Sequence, residues 1–349
     1  MSTSDDAVDA QDAAIHGVRS GATTKSSRFV WTGYSAGMAG LLLLLLAVQG
    51  DAYWLNILIL TLLFAGLASA WNIIGGFGGQ LSLGHGVFFA IGAYTVGITY
   101  DRYGWSPWAA MVVAIPIAMT VAALTSWPTF RLRGPFFAMA TLALNQVALV
   151  LATYFGSVTG GVQGITLPFS PSLRDLAFVE RWKYAVVMLA FVALTVAVAT
   201  VISRSKLGYA LRAVREDDEA AAAVGFNVFA VKMQGMLISA ALTCLGGSLF
   251  AVFVRYIDPA SVLGLPEVGV RMVLIALLGG IGTLMGPVVG SLLFIPGITL
   301  LQGELAGQRP GLNLVAVGLA LVIIPIALRR GIVGTAAGLF RSARGRWKR

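Results

Sequence analysis

Gln80, Ser82 and His85 fall within about two helical turns of one another in an otherwise apolar chain. An uncompensated polar group in such surroundings costs several kcal/mol, so each must bond either a passing polar solute or a neighbouring helix. Asn145 and Gln146 pose the same choice in a second apolar run. His85 has no histidine near it, because His16 sits in the polar N-terminal stretch. Neither a metal site nor a Ser-His-Asp arrangement can be assembled from two such distant rings. The single cysteine, Cys244, excludes an intrachain disulfide and a cysteine-clustered metal site. Hydrogen bonding, to a polar solute or to a neighbouring helix, is thus the chemistry on offer, with no cofactor or metal expected on this chain.

Two glycine-rich stretches must position these groups. The first runs Trp71-Asn-Ile-Ile-Gly-Gly-Phe-Gly-Gly-Gln-Leu-Ser-Leu-Gly-His85, with Gly75, Gly76, Gly78 and Gly79 at its centre. The second contains Gly279, Gly280, Gly282, Gly286 and Gly290. Each glycine destabilises a helix by about 1 kcal/mol relative to alanine, so both stretches predict helix breaks. In lipid a break is tolerated only where protein or a water-filled cavity satisfies the freed backbone. Their matching positions suggest two related halves with a pathway between them. Close packing is the competing explanation, since Gly75/Gly79 and Gly282/Gly286/Gly290 recur every four residues.

Residues 204–227 form the most charged internal segment. Leu207, Leu211 and Val214 follow helical spacing, with Arg212, Arg215, Glu216 and Glu219 on the other side. An amphipathic helix is predicted, ended by Gly225-Phe-Asn227. It reads equally as a solvated loop helix or as a docking helix for a partner. The chain contains no G-x-x-x-x-G-K-[ST] motif, so any nucleotide chemistry belongs to another chain.

Composition sets the solvent for these elements. Of 349 residues, 58% are hydrophobic and 11% charged, and the mean hydropathy is +0.85. Soluble domains carry about 25% charged residues, so a secreted or cytosolic enzyme is excluded. Spans of about 20 apolar residues are expected at 32–49, 53–74, 84–100, 107–127, 135–155, 183–203, 229–254, 266–281, 283–302 and 312–328, the eighth and ninth being short. The apolar run Leu41 to Leu46 comes too late for a cleavable signal peptide and reads as an uncleaved span. Ten spans put both termini on one side, with 17 of the 24 basic residues, and that side is expected to be cytoplasmic. The net charge of +9 is thereby explained by orientation, without a nucleic-acid partner. The expected fold is an all-α polytopic membrane protein: a disordered cytoplasmic tail (1–30), a transmembrane domain (31–328) holding the 204–227 segment, and a basic cytoplasmic tail (329–349).

Four stretches together resemble the branched-chain amino-acid permease family of bacterial ABC importers, most of all the longer of its two permease subunits. They are Gly79-Gln-Leu-Ser-Leu-Gly-His85 with Gly92-Ala-Tyr94, Leu132-Arg-Gly-Pro-Phe-Phe-Ala-Met-Ala-Thr-Leu142, Gly208-Tyr-Ala-Leu-Arg-Ala-Val-Arg-Glu-Asp217, and Gly279-Gly-Ile-Gly-Thr-Leu-Met-Gly-Pro287. The resemblance implies a second permease subunit, two cytoplasmic ATPase subunits carrying ATP and Mg, and a periplasmic or lipid-anchored protein that delivers leucine, isoleucine or valine. It implies the bacterial inner membrane, and it makes Arg212, Ala213, Arg215, Glu216, Asp217 and Glu219 the ATPase contact. Glu219-Ala-Ala-Ala-Ala-Val-Gly225 has the E-A-A-x-x-x-G spacing of many ABC permeases, without the apolar tail that usually follows. The family often has an acidic residue where Asn145-Gln146 stand, which leaves urea or another small amide open as solute. Residues 1–30 have no counterpart. An ion-coupled secondary transporter would place a carboxylate within the membrane; here every Asp and Glu falls in a tail, loop or span end.

Overall fold

The computed structural model describes residues 37–306, with Ser35 and Ile332. The chain divides into two compact units, Met1–Val48 and Gln49–Arg349. The first contributes α1 (Gly37–Val48), an apolar helix too short to span a bilayer by itself. The proposed tails 1–30 and 329–349 and the tenth expected span, 312–328, lie outside the described residues, Ile332 aside.

In the second unit, α2 (Ala52–Asn72) is the hub. The Asp51 carboxylate accepts from Tyr53 N at 2.8 Å and so caps its first turn. Apolar residues surround the helix on all sides, and 94% of its most apolar stretch is buried, against 22% for α5 (Pro135–Tyr154). A helix hydrophobic all round must be covered by protein or lipid. Protein covers α2, through α7 (Arg181–Arg204), α10 (Val228–Val254), α12 (Gly269–Gly279) and α13 (Gly286–Ala306). Much of α5 is left for lipid or a partner chain.

Between these elements lie α3 (His85–Tyr103), α4 (Pro107–Thr129) and the charged pair α8 (Lys206–Glu216) and α9 (Asp218–Ala223). The loop after α5 contains a single helical turn, α6 (Gly156–Thr159), and β1 (Ile165–Thr166), which pairs antiparallel with β2 (Tyr256–Ile257), Ile165 opposite Ile257. A short α11 (Pro259–Leu263), capped by Asp258, leads to α12.

Among the described residues, six helices are long and apolar enough to cross a membrane: α2 with its terminal turn, α4, α5, α7, α10 and α13. About ten spans were expected, and three differences explain the shortfall among the described residues. The 19 residues of α3 are long enough, but Asp101 and Arg102 dilute its last turn. The α1 and α12 helices are shorter than a bilayer crossing. At 11 residues, α12 is about 16 Å long, roughly half the hydrocarbon thickness.

The α3 and α10 helices pack backbone against backbone. A Cβ on Gly247 would meet the Phe89 carbonyl, one on Gly92 would meet the Cys244 carbonyl, and Ser248 Oγ donates to Gly92 O at 3.1 Å. Backbones this close admit no methyl group. Gly247→Ala is therefore expected to lower stability by about 1–3 kcal/mol through overpacking. Gly297→Ala, where a Cβ would meet nothing within 4 Å, is expected to be neutral or slightly stabilising. Thermal unfolding of the purified protein compares the two.

Candidate functional site

The two glycine-rich breaks meet, and Asn72 joins them. The α2 helix does not stop at Asn72 but loosens into a π turn, Ile73–Phe77, and then a loop. Asn72 Oδ1 accepts from Gly282 N at 2.8 Å while its Nδ2 donates to Thr283 O at 2.9 Å. One buried amide thereby satisfies a donor and an acceptor freed by the second break, the condition for a break in lipid. Gly76 is required here, because its Cβ would lie 2.8 Å from Gly282 N. Gly282 has φ +78°, a backbone conformation that glycine adopts without strain. Within the first break, Trp71 Nε1 donates to Ser82 O at 2.7 Å.

Of the other expected hinge glycines, Gly75 lies in the π turn and Gly78 and Gly79 in the loop after it. Gly279 ends α12, Gly280 follows it, Gly286 opens α13 and Gly290 lies one turn further on. Packing and breaking thus coexist: a Cβ on Gly290 would lie 2.8 Å from Gly279 N, so α12 and α13 press together where the chain turns.

The charged segment lies directly against this junction. A single helix over 204–227 was expected; the chain instead breaks at Asp217, whose extended backbone (φ −161°) caps α9. Its carboxylate accepts from Glu219 N at 2.8 Å and Ala220 N at 3.0 Å. These backbone donors, that of Ala220 first, hold the Asp217 carboxyl below its ordinary pKa. Leu211 is fully buried in a cluster with Ile73 and Phe77 of the first break, and Leu284 of the second packs against it. Gly225, with φ +99°, ends the segment as expected.

Arg215 turns toward the breaks. Its Nη1 donates to Gly76 O at 2.6 Å, and a Cβ on Gly282 would lie 2.6 Å from that same nitrogen. Its stem lies over Gly79, whose Cβ would be 2.8 Å from Arg215 Cγ. One guanidinium therefore touches both breaks. Arg212 donates to Ser203 O at 2.7 Å and stacks on Tyr209. Ala213 is half-buried, whereas Glu216 and Glu219 are exposed. Glu219 pairs with Arg133 at 2.8 Å, which raises the Arg133 pKa through that hydrogen bond first. Asp218 pairs with the buried Lys232 at 2.6 Å.

The polar trio separates. Ser239 Oγ donates its one proton to Ala70 O at 2.8 Å, so it must accept from His85 Nε2 at 2.8 Å. His85 Nδ1, then a lone pair, accepts from Ser82 Oγ at 3.0 Å. The ring is neutral, fully buried and occupied at both nitrogens. It ties α3 to α10 and, through Ser239, to α2. Ser239→Ala is expected to cost about 1–3 kcal/mol, measured by thermal unfolding, because it leaves the buried His85 Nε2 unpaired; Ala70 O keeps the Ile73 N–H of its own helix. Gln80 faces the open side of α8, in a pocket of about 370 Å³ shared with Arg133 and Arg215.

Asn145 is buried; its Nδ2 donates to Leu263 O at 2.7 Å while Oδ1 has no partner. Gln146 points out from the exposed side of α5. Between Ser82 and α5 lies a hydroxyl-lined cavity of about 20 Å³, with Thr125, Ser126, Thr129 and Thr141, large enough for one water.

A family model described as "Branched-chain amino acid transport system / permease component" matches residues 53–326. The chain belongs to this permease family. It is 30% identical to the high-affinity branched-chain amino acid transport system permease protein LivM of Escherichia coli over 263 residues, 69% of this chain and 61% of that one. The permease thus aligns with less than two thirds of that relative's length. The corresponding protein LivH of E. coli is 26% identical, over 78% of this chain and 91% of its own. A nucleoside ABC transporter permease protein, NupC of Lactococcus lactis, is 24% identical, over 74% and 86%. No solved structure matches the permease significantly.

Sequence reasoning on this permease missed Asn72, which stands in the first break and could have been singled out as its one buried amide. It missed Ser239 for a different reason: the partner of His85 is 154 residues away and carries no local signal. It also placed Glu267 at a span end. That position holds, since Glu267 lies in the turn before α12, paired with Arg271 at 2.7 Å.

Proposed function

We propose that this permease forms, with a second permease subunit, the translocation path of an ATP-driven importer of branched-chain amino acids in a bacterial inner membrane. Its α8–α9 face would be cytoplasmic, with both termini, and would receive one of two ATPase subunits that bind ATP and Mg. The opposite face, with loop 156–182, would receive a periplasmic or lipid-anchored binding protein.

The Arg215 contact carries the mechanism. A push on α8 reaches Gly76 through one hydrogen bond and Gly282 through van der Waals contact. The α8 helix and both breaks then move as one body, while α3, α4 and α5 rock against it. In this reading the ATPase meets the exposed Glu216 and Glu219, whereas Arg212, Ala213 and Asp217 shape the helix pair and Arg215 transmits. Asn145, Gln146 and Gln80 face the solute path, and Ser82 and His85 hold its wall.

The NupC likeness makes a nucleoside the alternative solute, and the neutral Asn145-Gln146 pair keeps urea or another amide in view. Reconstitution with candidate ATPases, second permease and binding protein, tested against radiolabelled leucine, valine, urea and a nucleoside, decides among them. ATP-dependent leucine accumulation is expected. Accumulation without ATP that an ionophore abolishes would overturn the reading in favour of ion coupling.

A further inference from the structure

On the face opposite α8, a pocket of about 370 Å³ opens between α2, α3, α10 and α12. Its size is within the range of small-molecule sites, about 300–1,000 Å³. Its depth follows from α12. The loop after α12 is joined to Asn72, and one helix length back the Arg271 guanidinium lies 5.1 Å from the Phe64 ring centre. Phe64 is eight residues before Asn72 and twelve after Ala52, about 12 and 18 Å along α2. The pocket therefore descends to roughly the middle of the hydrocarbon layer, where a half-length helix in a transporter meets its solute.

Its walls are partly aromatic and its lining includes two opposite charges, Glu267 and Arg271. Phe89 and Phe250 pack at 5.2 Å, with Phe253 beside them. Arg271 Nη2 donates to Glu267 Oε2 at 2.7 Å, and no other acceptor engages this guanidinium among the described residues. Four of its five N–H groups remain unassigned. The Glu267 side chain is 52% exposed, so its carboxylate also has free acceptor positions. Ion pairs within a membrane mark solute or ion pathways.

We propose that this pocket is a solute subsite for a zwitterionic α-amino acid with an apolar side chain, a proposal that rests on the amino-acid reading above. The solute carboxylate takes Arg271, its ammonium takes Glu267, and its side chain lies on Phe64, Phe250 and Phe253. The solute exchanges one internal ion pair for two, leaving no charge unmatched. A molecule lacking either charged group leaves one of the two side chains without its new partner.

The test uses the assembled transporter with a single cysteine reporter on either wall, Leu60→Cys or Val254→Cys; the native Cys244 is buried. Labelling by methyl methanethiosulfonate is followed without binding protein. Leucine is expected to slow labelling, whereas 4-methylpentanoate and 3-methylbutylamine, which lack its ammonium or its carboxylate, are not. Glu267→Gln is expected to raise the half-protecting leucine concentration by about tenfold, the loss of one charge-assisted hydrogen bond. Labelling unchanged by leucine at both positions, in a complex that takes up leucine, overturns the subsite and leaves the solute reading standing. Equal protection by all three compounds also overturns it, since an apolar filling such as a lipid chain would do the same. Leucine protection in a complex that transports no leucine supports the subsite and overturns the solute reading.

Discussion

Arg215→Gln is expected to leave the transporter assembled and hydrolysing ATP while leucine uptake falls by about tenfold or more. The reason is geometric. Apolar contacts of Leu211 keep α8 seated near the first break, so removing the guanidinium does not detach the helix. It removes the 2.6 Å bond to Gly76 O and the contact with Gly282, the two points through which α8 engages both breaks. A hydrogen bond from a charged donor contributes about 1.5–3 kcal/mol, enough for a change of ten- to hundredfold if it holds in one transport state and not the other. Glutamine lacks both the charge and the reach. Arg215→Lys, which keeps the charge without the planar fork, is expected to be intermediate. The ratio of leucine moved to ATP hydrolysed in proteoliposomes separates this outcome from simple loss of protein, and an unchanged ratio in the glutamine variant would sink the role given to Arg215.

The largest stability effect is expected from Asn72. Asn72→Ala leaves Gly282 N–H and Thr283 C=O without partners in a part-buried junction, at up to about 1–3 kcal/mol each. A fall in the thermal midpoint of several degrees, with lower yield of folded protein, follows. Asn72→Asp is the sharper comparison because it is nearly isosteric and leaves no void. It retains an acceptor for Gly282 N but sets an oxygen against Thr283 O, so destabilisation is expected despite the conserved shape. If the aspartate variant matched the parent in midpoint and uptake, Asn72 would be filling space and not joining the breaks.

These residues also show what sequence reading reaches. Helices without competing polar groups announce themselves: α4, α5, α7 and α10 lie within a few residues of the expected spans 107–127, 135–155, 183–203 and 229–254, because long apolar runs admit little else in lipid. The two breaks were visible as glycine clusters for the same reason. Their meeting was not, since residues about 210 apart are brought together by the packing of α12 along α2, and no local period encodes it. Arg215 was legible as one charge on a helical face, but its direction was not. Periodicity assigned it to the face opposite Leu211, whereas its long side chain bends back over Gly79 to reach a carbonyl. His85 shows the converse. Its burial among apolar residues implied a partner, and the fold supplies Ser239 from a distant helix. Asp217 was read as part of a continuous helix because charge patterning does not distinguish a surface carboxylate from a cap; the extended backbone at that one residue does.

The mechanism requires α8 and the two breaks to move as one body. Spin labels at Glu216→Cys on α8 and Met285→Cys in the second break, with a third at Trp127→Cys near the end of α4, test it by pairwise distances in the reconstituted transporter with and without ATP. The Glu216–Met285 distance is expected to stay fixed between the two states and the Met285–Trp127 distance to change. A Glu216–Met285 distance that shifts on ATP binding while Met285–Trp127 holds still would show α8 moving without the breaks, and would contradict it.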